Sequence, residues 1–124
     1  MAKFVHDDVL DGALNIVKNT CTRMTACSQQ PTTFAEANAT YALADVTMTS
    51  GDFTLADGDV SGRKLTVAQK SGVTVDTDGT ATHVALLDVA NTKLLYVTTC
   101  ASQALTSGNT MTFNAWNIEI SDPA

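Results

Sequence analysis

At 124 residues the chain fits one domain, and its 44% hydrophobic content is enough to build a core rather than a disordered polymer. A net charge of -6, with seven scattered cations of which only Arg63 and Lys64 are adjacent, excludes a nucleic-acid backbone as ligand. Charged residues make up only 16%, below the roughly one quarter usual in soluble domains, which describes a surface suited to assembly.

The amino terminus runs from one lysine into His6, Asp7 and Asp8 with no apolar stretch after it, so it does not read as a secretory leader. No run approaches the roughly 20 apolar residues of a membrane helix, and the chain is expected to be soluble and made in the cytoplasm. Residues 7–19 place Val9, Leu10, Ala13, Leu14, Ile16 and Val17 at helical spacing. Asp7 is the expected N-cap, and Lys18 suits the negative end of the helix dipole. Such a helix would act either as a lid on the core or as an anchor to a scaffold.

Thr22 to Cys27 alternates as a strand with Met24 and Ala26 on one face. Thr32 to Thr40 is expected as a loop with a helical turn. From Tyr41 to 121 β-branched runs are separated by turn residues. The clearest element is a hairpin, with Thr82–Asp88 and Lys93–Thr99 flanking Val89–Thr92. A last pair is expected between Ser102–Leu105 and Met111–Phe113 across Thr106–Thr110, and Trp116, Ile118 and Ile120 alternate onto a buried face. The whole predicts a mainly β fold, a β-sandwich or flattened barrel with one N-terminal α-helix, over a single domain 1–124. Open strand edges in such a fold are hazardous in a monomer and useful in an oligomer.

Chemistry-bearing constellations are sparse. Nucleophilic catalysis needs a base beside the nucleophile, and only His6 and His83 are available. His6 reads as a solvated or capping residue. His83 can be drawn as a dyad with Cys21, Cys27 or Cys100, but no flanking motif supports it, and the chain is not expected to be an enzyme. Asp57-Gly58-Asp59 and Asp76-Thr77-Asp78-Gly79 resemble fragments of calcium loops without the closing glutamate, and read as turns. The seven glycines form no phosphate-binding loop, so no cofactor or metal is expected. Trp116, Tyr96 and Tyr41 could stack on a sugar ring, which keeps a small carbohydrate-binding sandwich as an alternative. Three cysteines cannot all pair within one chain. Buried free thiols account for them, and the sharper reading is an interchain disulfide through Cys21, Cys27 or Cys100.

The opening Phe4-Val5-His6-Asp7-Asp8-Val9-Leu10-Asp11-Gly12-Ala13-Leu14, with Cys27-Ser28-Gln29-Gln30-Pro31-Thr32-Thr33-Phe34, resembles small structural proteins of tailed-bacteriophage virions. Ala81–Asp88, Leu94–Thr99 and Leu105–Phe113 are similar to the β-rich pattern of phage decoration, fibre and tail proteins. The resemblance implies a virion subunit assembled in the host cytoplasm, contacting copies of itself as a trimer or ring and other virion proteins such as the major capsid protein. A capsid decoration or cement role comes first, and a neck, collar or tail appendage second. It implies no membrane or nucleic-acid partner and carries over no functional residue.

Overall fold

The computed structural model describes residues 4–123; Lys3, counted among the scattered cations, and the first residues of the leader reading lie outside them. The chain is mainly β, as expected, with one long helix at its start.

Helix α1 spans Asp7–Thr20. Leu10, Leu14 and Val17 recur on one side and are buried. The N-cap is His6, one residue before the expected Asp7, because the His6 Nδ1 accepts a hydrogen bond from the Asp8 amide at 3.0 Å. That leaves Asp7 and Asp8 in the first turn, where the dipole favours them.

Strand β1 (Arg23–Cys27) lies inside a four-stranded antiparallel sheet of order β2-β1-β6-β7, with β2 at Ala42–Thr47, β6 at Gly79–Asp88 and β7 at Lys93–Leu105. Met24, Thr25, Ala26 and Cys27 are all buried, not only the expected Met24 and Ala26. Both faces of the sheet's centre, β1 and the later part of β6, are covered. One carries the main core, including Met24, Leu43, Leu86, Phe53 and Leu65. The other carries a small cluster of Cys27, Ala37, Ala85 and Leu87, roofed by Phe34 and Tyr41. The roof is the stretch expected as a loop with a helical turn; its turn is π-helical over Glu36–Thr40. The Glu36 carboxylate accepts from the Thr32 amide and hydroxyl at 2.9 and 2.8 Å and ties the roof together.

Opposite the main core face lie a three-stranded sheet, β3 (Phe53–Asp57), β4 (Arg63–Val67) and β9 (Trp116–Ile120), and a two-stranded one, β5 (Lys70–Thr74) with β8 (Thr110–Phe113). The packed antiparallel sheets make a β-sandwich-like fold. Helix α1 docks beside β3 and β4. Arg63 reaches from β4 to Asp11 of α1 at 2.9 Å and to Asp57 at 2.7 Å, and the Lys18 ammonium donates to the Ser50 and Phe53 carbonyls. Together with the buried leucines, these contacts make α1 a lid on the core.

The predicted hairpin is present and longer than expected. At its tip the buried Asp88 carboxylate accepts from the Asn91 amide and side chain, and Thr92 adopts a left-handed φ of 52°. The expected last pair is not formed. Ser102–Leu105 continues β7, whose Gln103–Leu105 pairs with Gly79–Ala81 of β6, while β8 pairs with β5. The turn between them is drawn away: Gly108 donates to the Val75 carbonyl, Val75 to the Asn109 carbonyl, and the Ser107 amide to the Asp78 carboxylate.

Candidate functional site

The splaying of β7 from β8 creates a groove of about 790 Å³. One wall is Thr98–Ala101 with Gln103–Leu105 of β7 and the other is Thr110–Asn117, with Ala26, Val75, Ala81 and Val84 between them. Trp116 stacks on Tyr96 at 5.9 Å between ring centroids, and its indole Nε1 is buried without a hydrogen-bond partner. Gln103, Asn114 and Asn117 bring side-chain amides to the lining.

Along this groove β7 is an edge strand of thirteen residues, hydrogen-bonded only to β6. Its residues Thr99 to Ala104 are all exposed, so neither face of that run is covered. Edge strands in monomers are commonly guarded by charge, proline or brevity. This one has none of these between Leu94 and Leu105, although its ladder with β6 is interrupted at Leu95 and at Cys100–Ser102, and the whole run from Leu94 to Ile118 contains no charged residue or histidine. That absence was visible in the sequence as a run without charge; what the sequence did not reveal is that it builds both walls of one groove.

The opposite edge of the same sheet is occupied. Asp76 and Thr77 donate their amides to the Leu43 carbonyl of β2, and Ala44 bridges Val75. Ion pairs gather instead around α1, β3 and β4, where Asp11, Asp57, Asp59 and Asp52 pair with Arg63, Lys64 and Lys70. Lys70 and the Thr49 amide hold the Asp52 carboxyl below the usual carboxylate range, although its partial burial pushes the other way. A second apolar surface is the outer side of α1, with Phe4, Val9 and Ile16 exposed.

The predicted site residues separate. Cys21 and Cys27 are buried thiols, and burial pushes the Cys21 thiol up to about 11 and the Cys27 thiol upward. An interchain disulfide through either is sterically closed to this fold, because the sulfur cannot meet another chain while the core is intact. Cys100 alone is exposed, on the β7 edge, with its thiol raised by partial burial. The dyad drawn from the sequence is not assembled. Cys27 lies opposite His83 in the β1–β6 pair, but its thiol bonds Thr25 and the Ala37 carbonyl, and the His83 Nδ1 bonds Thr82 at 2.8 Å. His6 is the helix cap.

Asp57 and Asp59 stand in the β3–β4 connection, closed by the Gly58 amide on the Gly62 carbonyl, and spend their carboxylates on Arg63 and Lys64. Asp78 holds the Ser107 amide. Among the described residues no group of three or more His, Cys, Asp or Glu is placed to hold a metal ion, and no helix is long and apolar enough to cross a membrane. Tyr41 roofs the small cluster, away from the groove that Trp116 lines. No protein-family model, curated protein or solved structure matches this chain.

Proposed function

We propose that the chain is a structural subunit of a tailed-bacteriophage virion, a capsid decoration or cement protein assembled in the host cytoplasm, acting through contact surfaces rather than through catalysis. One observation carries the reading. The ion pairs of Arg63, Lys64 and Lys70 gather around α1, β3 and β4, while the stretch Leu94 to Ile118 carries no charge and forms an open strand edge and groove. A surface without charge loses little on desolvation and is suited to burial against copies of the chain and other virion proteins such as the major capsid protein.

The experiment is reconstitution: purified chain is added to capsids that lack it, and binding is read by co-sedimentation and by the temperature at which the shells open. Saturable binding in hundreds of copies with a raised opening temperature supports the shell role. Binding at about a dozen copies or fewer moves the subunit to the neck or tail. No binding to any particle fraction refutes the reading.

The groove supports a second reading, because Trp116 and the amides of Gln103, Asn114 and Asn117 are the groups that carbohydrate sites use. Tyr96 already covers one face of the Trp116 ring, which weakens it. Selective binding on a glycan array, lost in Trp116→Ala, would establish it.

A further inference from the structure

We propose that the β7 edge is the docking site for a second copy of this chain, two β7 strands pairing antiparallel across a two-fold axis to make one continuous eight-stranded sheet. This deepens the assembly reading above by naming the partner of the same edge. Three observations lead to it. The four-stranded sheet has β7 open at one side, while at the other β2 is taken up at Leu43 and Ala44 by Val75, Asp76 and Thr77. A ring or trimer closed by sheet extension would need β2 of one copy to receive β7 of the next, whereas a two-fold pair needs β7 alone. The other strands along the groove, β8 and β9, have four and five residues against thirteen in β7, so β7 offers by far the longest ladder.

The charge pattern fits the same occupant. A chain of net charge -6 repels its own copy over most of its surface. Facing β7 against β7 opposes only neutral side chains from Leu94 to Leu105, so this is where two copies meet without like-charge contact. The exposed run Thr99 to Ala104, uncovered on both faces, extends from the midpoint of β7 toward its C-terminal end and would gain neighbours from the second strand.

The test is sedimentation equilibrium of the purified chain under reducing conditions, with edge variants. The wild-type chain is expected at twice its 13.0 kDa mass at micromolar concentration. Thr99→Glu with Ser102→Glu puts like charges on both copies beside the axis and is expected to weaken association by about tenfold or more. The matching Thr99→Lys with Ser102→Lys variant should also be monomeric, and mixing the two should restore the dimer mass, which neither misfolding nor a distant interface would do. A wild-type chain monomeric at every concentration overturns the proposal. So does a dimer unaffected by both edge variants but lost in Val9→Glu with Ile16→Glu, which assigns the contact to the outer face of α1. Particle binding by a strictly monomeric chain would leave the virion reading standing while this one fails.

Discussion

Replacing Leu14 by alanine tests whether α1 is part of the core or an appendage. Leu14 is 2% exposed and belongs to the main cluster with Phe53, Leu65 and Met24. The substitution removes about three carbons from a buried site at ~0.8 kcal/mol each, and a partly collapsed cavity adds to this. The expected loss is about 3–4 kcal/mol, a large part of a typical domain's 5–15 kcal/mol, and it lowers the midpoint of thermal unfolding by about 10–15 °C. Ile16→Ala, two positions away on the exposed side of the same helix, should change stability by about 0.5 kcal/mol or less. Both are read by urea unfolding followed through Trp116, the only tryptophan, which sits in β9 and not against the helix. If Leu14→Ala and Ile16→Ala have the same midpoint, the lid assignment is wrong and α1 is free to serve as an anchor.

Thiol labelling of the folded chain should modify Cys100 alone on the timescale of minutes, with Cys21 and Cys27 released only in denaturant; rapid native labelling of all three would contradict the burial described here. Asp52, whose folded carboxyl is held below its ordinary 3.8, stabilises the fold fully above about pH 4, and that contribution is lost as pH falls through the lowered value. Asp52→Asn should therefore be less stable than wild type at pH 7, and the gap should close on acidification; a constant gap in urea midpoints from pH 7 to pH 2 would exclude the Lys70 pairing as its cause. Gly62 has φ +73°, and a Cβ there would run into the Ile120 carbonyl. Gly62→Ala should cost more than about 1 kcal/mol in the same unfolding assay, whereas Gly12→Ala, with open space around it in the helix, should stabilise slightly.

Local signals in the sequence were legible where the structure is local. The helical spacing of Val9, Leu10, Ala13, Leu14, Ile16 and Val17 marked α1 but not its buried side, since only Leu10, Leu14 and Val17 are covered while Val9, Ala13 and Ile16 are exposed; the hairpin around Asp88 to Thr92 followed from two apolar β-rich arms across a short turn. The alternation of Trp116, Ile118 and Ile120 also reflects one covered face. Pairing decided at long range was not legible. Leu105 and Thr110 flank a turn that reads as a hairpin, yet Val75 and Asp78, remote in sequence, capture its backbone and send β8 to β5. The burial of Thr25 and Cys27 was hidden for a similar reason: the roof over them comes from a polar stretch whose one buried side chain is the small Ala37. The groove needed both facts at once, the absence of charge after Lys93 and the divergence of the strands that the run builds.

The strand order also governs how the chain folds. Arg23 pairs with Leu87 and Arg63 with Ile120, so each main sheet joins an early strand to a late one. During synthesis α1 and β1 emerge long before β6 gives their sheet its second half, and β4 waits for β9. Loop closure of this length comes before the contacts that reward it, which places the chain among slow-folding topologies. The β7 run meets β6 as soon as it emerges, but its outer edge stays uncovered and uncharged, so the edge proposed above for pairing between finished chains is a misassembly risk in the nascent one.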